Sequence, residues 1–320
     1  MALFRRRPST VQLDPDHGDP AAAALRAATR AGDWRAMNHQ LAAVPQGEYS
    51  DGLVIGAVME TNGVEQWIPQ VVAAEPQSAL AHLVSGARHI GWAWQARGGG
   101  YASDVSREQF QVFFERLRVA EDALYRTAEL RPDWSAPWYL LQMSGRGLQV
   151  GQEIQRRRFE ATVRRCPGHM GAHQQQLQQL CKKWGGSHQE AHAFARSAML
   201  AAPLGSPFGK LVASAHIEEA LSGEGRDLTA HLSRPEVLAQ LHEAADRSFR
   251  HPHFAHHITP GGWIPVYNTF AMAFSLAGDV TAARHCFTAL GDHATEWPWQ
   301  YLNGGDPAKA FTTWRAKAGL

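Results

Sequence analysis

Cysteine is scarce in this chain of 320 residues, with only Cys166, Cys181 and Cys286. Three thiols cannot build a disulfide framework, which excludes a small secreted scaffold and points to a reducing cytoplasm. Each reads as a small apolar core residue. Charge of one sign is lacking too: 31 Lys and Arg stand against 30 Asp and Glu, a net charge of +1. That balance offers no basic field for nucleic acid and no acidic tail. Long hydrophobic runs are missing, and the longest, Thr269 to Gly278, falls far below the roughly 18 residues of a membrane span. Strand signals are almost absent, because no run alternates cleanly between turn signals. Catalytic signatures are absent as well: no Gly-x-Ser-x-Gly, Walker loop, Cys-x-x-Cys or kinase set occurs. With 44% hydrophobic and 19% charged residues, the chain still carries enough apolar surface to fold. Arg5, Arg6 and Arg7 are followed by Pro8, Ser9 and Thr10 rather than by the apolar segment of a secretory signal. Residues 1–19 are therefore expected to be a poorly ordered arm, and residues 20–320 a single domain.

What is present is helical periodicity. Phe110, Phe113, Phe114, Leu117, Ala120, Leu124 and Ala128 mark one buried helix face, with Ser106 and Gln109 as a capping box before it and Pro132 after it. Proline punctuates such segments repeatedly, at Pro45, Pro76, Pro132, Pro167, Pro203, Pro252 and Pro298. Pro132, Pro167 and Pro203 are 35 and 36 residues apart, close to the roughly 34-residue tetratricopeptide period. Ala31-Gly32-Asp33 and Ala277-Gly278-Asp279 repeat one device, a glycine that ends a helix in the left-handed region and an aspartate that caps the next. The expected fold is all-α: an irregular tetratricopeptide-like α-solenoid of about six or seven helix pairs.

Two stretches carry a resemblance. One is Ala93-Trp94-Gln95-Ala96-Arg97-Gly98, followed by Gly100-Tyr101-Ala102-Ser103-Asp104-Val105 and Phe113-Phe114-Glu115-Arg116-Leu117. The other is Lys183-Trp184-Gly185-Gly186-Ser187, followed by Phe194-Ala195-Arg196. In order and spacing they resemble an uncharacterised bacterial family of helical-repeat proteins, domain of unknown function 4034, over roughly residues 75–220. The resemblance implies a tetratricopeptide-like fold and no established activity.

These stretches also have a local reading. Gly185 and Gly186 end one helix, while Ser187 with Glu190 caps the next. Gly98, Gly99 and Gly100 form an inserted loop without the strand–glycine–helix pattern of a phosphate cradle. The planar fork of Arg97 is expected to pin that loop, through Glu115 or a helix carboxyl end, and could otherwise hold a carboxylate. If Trp94, Arg97, Tyr101, Glu115, Arg116, Lys183 and Trp184 converge instead, they suit an anionic or aromatic ligand.

Histidine is abundant, at 17 residues. The densest group spans His251 to His257, where His253, His256 and His257 are weak metal candidates without a recognised ligand spacing. Pro252 favours a loop there. In His188-Gln189-Glu190-Ala191-His192 the glutamate lies roughly 200° around the helix from His188, so the pair is not a zincin motif. His169 and His173 form a second pair one helix earlier, too far away for one ion to bridge both. No metal and no cofactor is expected. Eleven tryptophans, with close pairs at Trp92/Trp94, Trp134/Trp138 and Trp297/Trp299, supply core packing and a few binding anchors. The leading expectation is a cytoplasmic interaction protein that binds a peptide or protein partner in a concave groove, without nucleic acid or membrane. The alternative is an enzyme or small-ligand binder using the groove as a pocket.

Overall fold

The computed structural model describes residues 11, 13–43, 53–98, 105–223 and 228–320. Caps set where its helices begin. Asp19 accepts from Ala21 N and Ala22 N to start α1 (Pro20–Ala31), and Gly32 ends it at φ 66°. Asp33 then accepts from Ala36 N at 3.0 Å to start α2 (Trp34–Ala43). There follow α3 (Leu53–Met59), α4 (Val64–Ala74), α5 (Ala79–Arg97), α6 (Arg107–Leu130), α7 (Ala136–Leu148), α8 (Gln152–Arg165) and α9 (Met170–Leu180). The capping box of Ser106 and Gln109 is present at the head of α6. Phe113, Leu117, Ala120 and Leu124 are buried along it, as the periodicity predicts. Gly86 lets α5 and α6 approach closely, because a Cβ there would stand 2.7 Å from Leu124 Cγ.

Helices α1–α9 belong to one compact unit, residues 19–180. Fully buried Arg88 on α5 ties down the turn before α4. It donates to Glu65 at 2.6 Å, Met59 O at 2.7 Å, and Asn62 and Gln95 at 3.1 Å each. Burial alone would raise the Glu65 carboxyl, but the Arg88 bond takes it below its ordinary range.

The other compact unit comprises residues 181–320 with residues 1–18. A 3-10 turn at Lys182–Trp184 ends at Gly185 with φ 90°. Ser187 accepts from Glu190 N at 3.1 Å and opens α10 (His188–Ala201). Next come α11 (Gly209–Leu221), α12 (Leu228–Leu232), α13 (Pro235–Arg247), α14 (Trp263–Ala277), α15 (Val280–Leu290) and α16 (Pro307–Lys317). The second glycine–aspartate device is present between α14 and α15, with Gly278 at φ 80° and Asp279 accepting from Ala282 N at 2.9 Å.

Helix α11 is the centre of this unit. It packs against α10, α12, α13 and α14, so every residue from Gly209 to Glu218 is buried. A Cβ on Gly209 would collide with the carbonyl oxygen of Ala244 on α13. Residues 14–18 of the expected N-terminal arm make local and packing contacts. Asp14 accepts from the amides of Asp16 and Gly18, Asp16 is buried, and His17 packs against Gly261. Residues 1–10 and 12 of that arm lie outside the described residues.

Among the described residues the chain is all-helical, with sixteen α-helices and no strand. No helix among them is long and apolar enough to cross a membrane. The three cysteines are free thiols; Cys181 and Cys286 are buried and Cys166 is half-buried.

Candidate metal centre

Within residues 19–180, Trp94, Arg97, Glu115 and Arg116 take part in local packing. Trp94 meets the ring of Phe113 edge-on at 4.9 Å and lies 5.6 Å from the guanidinium of Arg97. Arg97 donates to Gly98 O at 3.1 Å, while Glu115 accepts from Gln111 at 3.0 Å. Arg97 thus reaches the backbone at the carboxyl end of α5, and Glu115 a neighbour on α6. Arg116 stacks 3.5 Å over Trp92 and donates to its carbonyl. Lys183 and Trp184 belong to the other compact unit, where Lys183 pairs with buried Glu218 at 2.7 Å. Tyr101 lies outside the described residues.

Chemistry gathers instead on the buried side of α10, α11 and α12. His192 stands on α10, His216 on α11 and His231 on α12. Each offers one ring nitrogen, and these nitrogens all lie within 4.8 Å of one another. The sequence separations of 24 and 15 residues match no recognised ligand spacing. The helix packing brings the three together.

Two of the rings are held from outside the cluster. His216 is 4% exposed, and its Nε2 pairs with Gln240 Oε1 on α13 at 3.1 Å. That bond makes Nε2–H the donor and turns the lone pair of Nδ1 inward. Nδ1 then faces His231 Nε2 at 3.1 Å. Glu219, one turn along α11 from His216, supports His192 and stands near His231. Its Oε2 accepts from His192 Nε2 at 2.6 Å, and its Oε1 lies 3.6 Å from His231 Nδ1. At the rim, Ser222 Oγ pairs with His188 Nε2 at 3.0 Å.

Burial, reinforced by the charge of neighbouring His192, pushes His216 down to about 4. Burial also lowers His231. Burial alone would raise Glu219, but the hydrogen bond from His192 and the charge of His231 bring it below its ordinary value. At neutral pH His216 and His231 therefore hold unprotonated nitrogens beside a carboxylate, the state in which imidazole ligates a metal.

The donor set fits a transition metal. Imidazole nitrogens bind Zn²⁺ at roughly 2.0–2.1 Å, which places neighbouring nitrogens of a tetrahedron about 3.4 Å apart. One pair already stands at 3.1 Å. Metal-bound histidines characteristically give their outer N–H to a carboxylate or carbonyl. Gln240 and Glu219 occupy those outer positions.

Among the described residues this is the one group of three or more such side chains with mutually close ligand atoms. The candidates His253 and His256 lie elsewhere. His251, His253 and His256 make ring contacts at 4.9 and 5.9 Å in a loop with a short 3-10 turn, Phe254–His256. Their segment, with His257, adds no donor to the cluster. Sequence reasoning noted His192 but missed His216, His231, Glu219 and Gln240. One signal was available for His216: a histidine inside the apolar run Leu211, Val212, Ala213, Ala215 and Ile217 needs partners if it is buried.

Comparison with known proteins finds no matching family and no curated protein that matches the chain.

Proposed function

We propose that the chain is a metal-binding protein whose centre is built by His192, His216 and His231, with Glu219 and Gln240 holding the rings. The observation that carries this reading is three ring nitrogens within 4.8 Å of one another, two of those rings being almost wholly buried. Imidazole without thiolate suits a divalent first-row transition metal, Zn²⁺ foremost, over Ca²⁺ or Mg²⁺. The test is calorimetric titration of chelator-treated protein with Zn²⁺. One ion per chain is expected, with binding lost in His216→Ala and His231→Ala and kept in a His253→Ala/His256→Ala variant. Equal binding by all of them would end this reading.

A second, fold-level reading concerns residues 19–180. There α5 packs on both α6 and α7, and α7 on both α8 and α9. Contact with the next helix and the next but one is how paired-helix repeats stack. This supports the irregular tetratricopeptide-like repeat implied by the likeness to domain of unknown function 4034. On that reading the repeat surface binds a peptide or protein segment. Cross-linking in a native lysate tests it, with the 19–180 helices expected to carry the cross-links. Cross-links confined to residues 181–320 would count against it.

A further inference from the structure

We propose that the ion held by His192, His216 and His231 keeps a fourth, exchangeable coordination position on its solvent side, filled by water and open to small anions. The inference rests on the metal-binding reading.

Three protein donors are the number found in open zinc sites, whereas closed structural sites use four. Glu219 is one candidate for a fourth donor, and it is already engaged. One of its oxygens takes the N–H of His192 at 2.6 Å, and the other faces His231 Nδ1 at 3.6 Å. A carboxylate that orients His192 must release that ring to enter the inner sphere. Glu219 also stands outside the set of mutually close ligand atoms. With Nε2–H of His192 committed to Glu219, that ring's lone pair is on Nδ1. The proposed inner set is therefore Nδ1 of His192, Nδ1 of His216 and Nε2 of His231.

Exposure shows where the fourth position points. His216 is nearly sealed and the side chain of His231 is 11% exposed, while His192 and Glu219 reach 25% and 28%. The ion's inner side thus meets protein and its outer side meets solvent, near the rim pair His188 and Ser222. Charge sets the ligand class. A divalent ion with three neutral imidazoles and one outer carboxylate keeps a net positive charge, so an anion is favoured over a neutral molecule.

Cobalt substitution separates the possible outcomes. Chelator-treated protein is loaded with Co²⁺, its visible absorption is recorded, and azide is titrated in. An intense four-coordinate spectrum that shifts saturably with azide is expected. Glu219→Gln should keep both the spectrum type and the azide response, with Co²⁺ affinity lowered about 10–100-fold, as for other outer partners of metal-bound histidine. A four-coordinate spectrum that ignores azide in the native chain but responds in Glu219→Gln would make Glu219 the fourth ligand. That result overturns the open position and leaves metal binding intact. A spectrum no different from Co²⁺ in buffer overturns both.

Discussion

Arg88 shows how much one side chain carries in this chain. Its guanidinium is fully buried and serves four acceptors, one of them the carboxylate of Glu65. Removing one partner of a buried ion pair leaves the other charge uncompensated, which typically costs about 3–5 kcal/mol. Arg88→Ala is therefore expected to lower stability by about that amount in denaturant unfolding. Arg88→Lys should recover only part of it, because an ammonium group cannot reproduce the planar fork. By contrast, removing the exposed pairs of Arg156 with Glu153 and Glu160 should leave the denaturant midpoint nearly unchanged, because solvent screens them. Sequence reading singled out Arg97 and passed over Arg88. Both lie on α5, and only the packing of the turn before α4 distinguishes them.

Among the helices, α11 joins packing to chemistry. It carries His216 and Glu219, and it lies so close to α13 that a Cβ on Gly209 would strike the carbonyl of Ala244. Helix α13 in turn carries Gln240, the partner of His216. Gly209→Ala must force the two helices apart. Overpacking of this kind costs about 1–3 kcal/mol. A lower melting temperature is expected, and weaker Zn²⁺ binding with it, because the Gln240 support moves away from the ring it orients. A variant with a lowered melting temperature and native Zn²⁺ affinity would show that the helix spacing does not matter to the centre.

Stability of the whole molecule should be acid-sensitive, and His169 gives one reason. It is fully buried at the head of α9, where its Nδ1 accepts from Ala172 N at 3.1 Å. Burial, with a contribution from the charge of His173, pushes it down to about 4. Protonation would remove the acceptor and place a positive charge at the positive end of a helix. The unfolded chain protonates near 6.5, so the contribution is fully present above that pH. It is lost as pH falls from about 6.5 to about 4, by about 3 kcal/mol. His169→Asn should keep a capping oxygen and lose the titration. Denaturant midpoints measured at pH 7 and pH 5 are expected to fall less for the variant than for the native chain.

The sequence by itself determined the helices. The periodicity of Phe113, Leu117, Ala120 and Leu124, the box of Ser106 and Gln109, and the paired Gly32-Asp33 and Gly278-Asp279 turns are all local signals, and all appear as read. Such features act over one or two turns of chain, within reach of a sequence pattern. The candidate metal centre was decided only by tertiary structure. His192, His216 and His231 stand on three helices, with their supports on α11 and α13. Their meeting depends on how α10, α12 and α13 pack around α11, which no spacing along the chain encodes. At His251–His257, by contrast, nearness in sequence puts several imidazoles in one loop without making a group of three with mutually close ligand atoms.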